Sequence, residues 1–467
     1  MIEERRAASS DFASTFPKLT ESGIGPVDVI VVGAGLTGLC AALSAIERQA
    51  KVVLLDQSTR LYADVDPTQS LYVNAVDPER QGELGINDSP ELFYQQTLKA
   101  GKDRADPRLV KQLCYKAYIA LKWIERFGIT FESKVRQIPG GTFPRTCVAT
   151  DAMRCRTKLL GAAQAAGVVM LSGMRFESFI RNRTGRVSGV VVRDVHGDAY
   201  RLTAGAVIMT TGGYAGDARM CARHDSRLGA LEALRGGLGD NGLRDMVEAG
   251  AYLVGMDFVE LSMGTPHSTG FLPCVSHPLR HLLTDATGRR LVNEEDREAV
   301  REAILDQSDR TLRLVTSFEN RLRLPAHHRR TIERMLEEGA ARRVRSAADL
   351  QGWTVFAPDA YGQLVETVDN YNRTSGDVFG KSWHYPVTAN DLLIMPVTFR
   401  RAVTLGGVHI DEACRVLTSA GNAIAGLFAA GEVTGGVHGA HCVPGNLALE
   451  SIVFGREAGL SSVSQRD

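Results

Sequence analysis

A chain of 467 residues, 44% hydrophobic and 23% charged, is long enough for two domains or for one domain with a large insertion. Its 54 basic and 54 acidic side chains cancel, so no net basic field exists to gather nucleic acid or an anionic membrane. The 47 glycines exceed ordinary usage and point to tight turns or close backbone approach to a ligand.

Residues 1–25 are polar and charged, without the apolar stretch of a signal peptide, and read as a flexible N-terminal segment. The first strong pattern is "VDVIVVGAGLTGLCAALSAIERQAKVVLLDQS". Val27 to Val32 is a near-continuous apolar run, as a strand buried on both faces requires. Gly33, Gly35 and Gly38 follow as G-x-G-x-x-G, then a helix from Leu39 to Arg48, then a second apolar strand ending at Asp56. In such a βαβ unit the first glycine permits the turn, the second lets the backbone approach a pyrophosphate, and the third allows close helix packing. The helix N-terminus offers N–H groups to phosphate, and Asp56 is placed to accept hydrogen bonds from a ribose.

Two helices come next. "NDSPELFYQQTLKAGK" offers Asp88 or Ser89 as N-cap with Pro90 near its first turn, and "DPRLVKQLCYKAYIALKWIERFG" starts at Asp106-Pro107 and stops at Gly128. Helical spacing places Tyr115, Tyr118 and Trp123 in the core. "GRVSGVVVRDVHGDAYRLTAGAVIMTTGGYAG" predicts a hairpin turning at His196-Gly197-Asp198, then a buried strand that ends before Gly212 and Gly213. From about Thr265 to Tyr385 charge rises and short helices dominate, which marks an inserted domain. The sheet pattern returns at "VTLGGVHID" and "AIAGLFAAGEV". The eight cysteines are scattered, with no C-x-x-C and no haem attachment motif, and read as thiols in a reducing compartment. No run approaches the roughly 20 apolar residues of a membrane span. The cytoplasm is the expected location.

The order of motifs resembles the FAD-binding subunit family of fumarate reductase and succinate dehydrogenase, which also includes L-aspartate oxidase and 3-ketosteroid dehydrogenases. The resemblance runs from Val27 to Gly459 through GAGLTG, "ELGINDSPELF", "GGTFPRTC", "TTGGYAGD", "GRRLVNEEDREAVREAIL", "LGGVHID" and "GLFAAGEVTGGVHGA" with its following GN. It implies an α/β fold: a Rossmann-like FAD-binding domain (26–264 and 389–467) with an inserted α+β capping domain (265–388). It also implies bound FAD, with hydride passing between flavin N5 and a substrate carbon. Gly212, Gly213, Asn74, Ala75, Glu432, Gly445, Asn446, Leu447 and Ala448 then stand at cofactor-contact positions. Asn241, in "GDNGL", stands near the family's G-D-G. Without a histidine between Leu61 and Ala75, where succinate dehydrogenases attach FAD, the cofactor is expected to be non-covalent.

Arg297 aligns with the family's proton-donating arginine, and Arg280 with the outer arginine of its relay, while His277 replaces the relay glutamate. An arginine acid works when the acceptor is a strongly basic developing carbanion; the alternative is a charged helix face, "EEDREAVRE", carrying ion pairs. The substrate positions depart from the family. Its two carboxylate-binding histidines fall on Ser262 and Val403, its threonine on Ser276, and its arginine on Cys442. A dicarboxylate needs charged, preferably bidentate donors at both ends, and these side chains cannot supply them. Fumarate and succinate are therefore expected to be poor substrates.

His438, His441 and Cys442 invite a zinc reading, but a fourth ligand is missing and the family wraps this loop around a flavin, so no metal is expected. Cys442 as a nucleophile would need a partner base, and adjacent His441 is poorly placed to serve. His438 belongs to the family pattern and joins the expected pocket. The expected activity is FAD-dependent reduction of an activated C=C bond, or the reverse desaturation, on a small substrate. The alternatives are an amine or alcohol oxidase using O2, and an inactive flavoprotein scaffold. No haem or iron–sulfur ligands are recognised, and the electron partner is open.

Overall fold

The structure is a computed structural model that describes residues 27–59, 71–138, 140–234, 242–266, 278–324, 326–373 and 377–464. The expectations for residues 1–25, Asn241, Ser276 and His277 lie outside the described residues.

Strand β1 (Val27–Val32) buries its last four residues and leads through the glycine loop into helix α1 (Leu36–Glu47) and strand β2 (Val52–Asp56). Five of the strands that complete this sheet come from distant segments: β3 (Val169–Ser172), β4 (Arg175–Arg181), β5 (Val187–Arg193), β6 (Ala199–Met209) and β7 (Arg415–Leu417). The last, β8 (Ala423–Ala429), precedes the terminal helix α2 (Asn446–Val463). Strand order is β7-β8-β6-β1-β2-β3 in an eight-stranded sheet, with β5 pairing to β6 and β4 to β5. Neighbours of β1 run parallel to it, with Val29 opposite Val52 and Ala206. This explains the all-apolar run in β1: helices cover both faces of such strands, so neither face can be polar. The hairpin expected at His196–Asp198 is present, with Gly197 at φ 93°.

Helix α2 crosses α1 at very short range because glycine stands at both crossing points. A Cβ on Gly455 would lie 2.5 Å from the Thr37 carbonyl oxygen, and one on Gly459 2.2 Å from that of Ala41. The helix from Pro107 to Glu125 behaves as its spacing predicts at Trp123, which is 3% exposed. Tyr115 departs from the expectation. It is 44% exposed and its hydroxyl donates to Glu91 at 2.8 Å, because an aromatic with a polar tip can border the apolar stripe.

The chain divides into two units: Met1–Asp217, Gly237–Glu260 and Val403–Asp467 form one, Ala218–Gly236 and Leu261–Ala402 the other. The second unit is wider than the 265–388 insertion read from composition. Its sheet takes in the long strand Leu392–Thr404, which pairs antiparallel with Leu312–Ser317 and with Arg342–Val344. It also takes in 218–236, where Arg227 donates to Glu302 at 2.7 Å and to Asp306 at 3.0 Å. Helix Ala360–Arg373 packs Ala360, Leu364, Val368 and Tyr371 into that unit's core against Leu282, Val315 and Ile394. Among the described residues no helix is long and apolar enough to cross a membrane.

Candidate active site

The three glycines of the first loop do separate jobs. Gly33 adopts φ 109°, and a Cβ there would lie 2.5 Å from the Thr210 carbonyl oxygen. A Cβ on Gly38 would lie 1.8 Å from the Gly33 carbonyl oxygen, so only glycine lets α1 start this close to β1. Gly35 meets nothing within 4 Å. Its absent side chain serves no protein packing and leaves open space at the helix start, where the pyrophosphate reading requires it. Asp56 braces the loop, accepting from the Ala34 N–H at 2.6 Å and the Ser58 N–H at 2.8 Å.

A second cluster forms at the start of α2. The Asn74 amide donates to the Pro444 carbonyl and to the Asn446 side-chain oxygen, both at 2.8 Å, while its own oxygen accepts from Thr146 at 2.6 Å. Gly445 has φ 94°, and a Cβ there would fall 2.7 Å from Asn74. Asn446 is fully buried, and Leu447 and Ala448 complete the first turn of α2 behind it. The Ala75 N–H donates to the Arg145 carbonyl at 3.1 Å. Arg145 is in turn locked to Asp88 by bonds of 3.0 and 2.8 Å, both side chains being 1% exposed. Sequence reading missed this pair; the arginine within "TFPRTCV" was its only signal.

Both α1 and α2 have glycine N-caps, no side-chain cap and no acid in the first turn. By contrast Ser89, Asp106 and Asp296 cap their helices through side-chain oxygens. Two helix N-termini left uncapped keep their N–H groups and positive dipole ends available to an electron-rich ligand. A third convergence joins Gly212, at φ 81°, and Gly213 to Glu432, whose carboxylate accepts from the Thr404 N–H at 3.0 Å. A Cβ on Gly213 would lie 2.3 Å from that carboxylate. Loop, Asn74–Asn446 cluster and Gly213–Glu432 cluster all belong to the first unit, and each offers the close backbone approach or free N–H groups that a dinucleotide uses.

His438 lies in the same unit. Its Nε2 is 2.9 Å from Glu450, both groups being 3% exposed. Burial alone would lower the His438 pKa, but Cys442 and Glu450 outweigh it and hold the ring well above its usual range. Burial pushes the Cys442 thiol up, with His438 partly offsetting that. The Cys442 N–H donates to Glu260 at 3.0 Å, and His441 faces the same carboxylate at 3.4 Å. The ring beside Cys442 is therefore His438, four residues away, and not adjacent His441. Glu450 was not singled out from sequence, although an acid in the apolar run "NLALESIVF" is a usable signal. Among the described residues no three His, Cys, Asp or Glu side chains come together as a metal-holding group.

In the second unit, "RRLVNEEDR" forms a turn pinned by buried charge. Glu294 accepts from Arg290 at 2.9 and 2.7 Å, from Lys381 at 3.0 Å and from the Leu283 N–H at 2.9 Å. Burial would raise the Glu294 pKa, but Arg290 and Lys381 more than offset this and keep it below its usual value. The pinned turn places Asp296 as N-cap and Arg297 as the first residue of the helix Arg297–Asp306. Arg297 is exposed and makes no hydrogen bond or ion pair among the described residues. The helix face does carry ion pairs, but Arg301 makes them, to Glu298 at 3.3 Å and Glu302 at 2.9 Å. Arg280 stacks its guanidinium over Tyr385, 3.6 Å from the ring centroid. Ser262 lies half-buried on the strand Val259–Gly264, and Val403 is half-buried in the first unit.

Residues 28–447 match the family described as FAD binding domain. The chain is 29% identical over 447 residues to the fumarate reductase (cytochrome) of Shewanella frigidimarina, covering 93% of this chain and 76% of that protein. It is 27% identical over 472 residues to a urocanate reductase of Eggerthella lenta, covering 96% of this chain and 76% of that protein. The open conformation of a flavocytochrome c3 fumarate reductase shares the fold, with a TM-score of 0.84 at 23% identity over 99% of this chain and 81% of that one. The chain thus belongs to the FAD-binding family of the fumarate reductase and succinate dehydrogenase flavoproteins, and is an FAD-dependent oxidoreductase.

Proposed function

We propose that the protein reduces an activated carbon–carbon double bond, or catalyses the reverse desaturation, on a substrate less anionic than fumarate, with Arg297 moving the proton. The observation that carries this reading is the state of Arg297. A cation in the first turn of a helix opposes the helix dipole, and such positions favour acids. Arg297 has no acid partner to offset that cost among the described residues, so helix stability does not account for it. A guanidinium kept free and exposed by a pinned turn is suited to donate to an electron-rich group. Bound FAD would supply or accept the hydride. Gly33, Gly35 and Gly38 would hold its pyrophosphate, Asp56 its ribose, and Asn74, Glu432 and the N-terminus of α2 the remainder.

Val403 and Cys442, both in the first unit, support the substrate part of the reading. Neither is a cation, and a carboxylate placed against them would be left unpaired, costing several kcal/mol. The relatives named for fumarate and for urocanate fit a family in which the substrate varies. The test is anaerobic oxidation of reduced methyl viologen by the holoenzyme with fumarate and with activated alkenes bearing one or no carboxylate. Fumarate is expected to be the slowest. Fumarate turnover of about 10 per second, typical of a dedicated enzyme, would overturn the reading.

FAD is held without a covalent bond in this reading, since no histidine lies between Leu61 and Ala75. Acid precipitation of the protein is expected to release all the yellow colour into the supernatant. Flavin that stays with the pellet would refute it.

A further inference from the structure

The loop before α2 holds three groups whose arrangement the FAD site does not explain. Glu450 and His438 form a pair with both side chains 3% exposed. That pair occupies Nε2 of the ring. Nδ1 is equally buried and has no hydrogen-bond partner among the described residues. The Cys442 thiol is the other polar group that interacts with the ring, short of hydrogen-bond geometry. Cys442 itself is half-buried, and its S–H reaches only the carbonyl of Val443, at 3.4 Å. Its backbone is fixed by the bond from its N–H to Glu260.

A buried imidazole beside a buried carboxylate retains its second proton, because the pair is then neutral overall. The charged ring then has one committed N–H and one N–H without an acceptor among the described residues. An imidazolium beside a sulfur polarises its S–H outward through space. The thiol stays protonated, since burial raises it. It is thus a donor and not a resting nucleophile, for which a lowered pKa would be needed.

We propose that Glu450, His438 and Cys442 form a relay that presents the Cys442 thiol as a hydrogen-bond donor to an uncharged, electron-rich oxygen, the carbonyl of an α,β-unsaturated ketone, aldehyde or ester. The inference rests on the reading that the substrate is an activated alkene less anionic than fumarate. It adds the group recognised and the residue that sets specificity. A weak neutral donor suits a carbonyl oxygen, whose demand grows as negative charge develops there during hydride transfer to the conjugated carbon. It does not suit a resting carboxylate, which would also face Glu260 beside it.

The relay is tested without any substrate, by the pH profile of alkylation of Cys442 with iodoacetamide in the holoenzyme, followed by peptide mass spectrometry. Cys40, Cys114, Cys147, Cys155, Cys221 and Cys414 are buried, and peptide assignment separates them from Cys442. The charged and titratable groups facing the thiol are His438, Glu450 and Glu260. The wild-type rate is expected to rise only above the ordinary thiol range. In His438→Gln the profile is expected to move further up, slowing alkylation about tenfold or more at a given pH, since one pKa unit is a factor of ten. His438→Asn is expected to move it the same way, which guards against one His438 variant that folds poorly. A wild-type inflection at or below neutral pH, or profiles that the two variants leave unmoved, would overturn the relay.

The ligand is tested with 2-cyclohexen-1-one and reduced methyl viologen. Cys442→Ala is expected to lose about tenfold or more in turnover, Cys442→Ser to retain most of it, and Cys442→Arg to shift preference toward fumarate. If Cys442→Ala reduces the enone as fast as wild type, or wild type does not reduce it, the carbonyl assignment fails. The alkylation profile is independent of substrate, so the relay and the functional reading can fail separately.

Discussion

Arg297→Ala is expected to leave FAD bound with an unchanged visible spectrum while turnover falls by about 10²- to 10⁴-fold, the usual loss when a positioned proton donor is removed. The substitution should be structurally mild. Arg297 is exposed, makes no contact that the helix depends on, and follows an Asp296 cap that remains in place. Removing a cation from the first turn relieves an unfavourable dipole interaction, so thermal stability should hold or rise slightly. Stability and activity thus move in opposite directions, which separates a proton-transfer role from a structural one. Arg297→Lys should recover little, because a compact ammonium does not reproduce a planar guanidinium's donor geometry. The measurement is stopped-flow flavin reoxidation by the best alkene substrate, with a thermal melt of each variant. Retained turnover in Arg297→Ala would remove the residue from the mechanism.

Arg145→Met is expected to be the most damaging change to the fold of the FAD-binding unit, at about 3–5 kcal/mol, the range for breaking a buried ion pair from one side. Asp88, 1% exposed, would keep its charge with Gln81 as its remaining side-chain donor at 2.8 Å. The damage should also reach the cofactor, because the Arg145 carbonyl holds the Ala75 N–H and its neighbour Thr146 holds Asn74. FAD release should therefore occur at a lower temperature than in wild type, read as the rise in free-flavin fluorescence on heating. Replacing both partners, Arg145→Met with Asp88→Leu, should restore much of the loss, since a packed apolar pair leaves no stranded charge. If the double variant is as unstable as the single one, the pair contributes through the geometry of its hydrogen bonds and not through its charge balance.

Local pattern carried the first half of the site. A buried strand, three spaced glycines, a helix and an acid are adjacent in the chain, so backbone sterics alone place Gly33, Gly35, Gly38 and Asp56 together. The stretch "EEDREAVRE" reads as a charged helix, and the folded chain starts that helix at Arg297 behind an Asp296 cap. Composition leads to an expected insertion at 265–388, and the folded chain divides with 218–236 and 261–402 as its second unit. Strand Leu392–Thr404 looks like a return to the first sheet in composition, and only its pairing with Leu312–Ser317 assigns most of it to the second unit.

Partnerships over long separations were decided by the tertiary structure. Asn74 meets Asn446, and Asp88 meets Arg145, because packing brings those segments together; no periodicity encodes such a pair. Tyr115 likewise has helical core spacing yet stays exposed, since the stripe's edge is set by what packs against it. His438 shows the division most sharply. The sequence, through its resemblance to the family, led to the expectation that this loop contacts the flavin and that Cys442 stands where the family has an arginine. Only the folded chain turned His438 toward Glu450 and beside Cys442, because a helix start fixes where its second turn lies relative to the loop before it. That geometry converts three scattered residues into one proton-holding group.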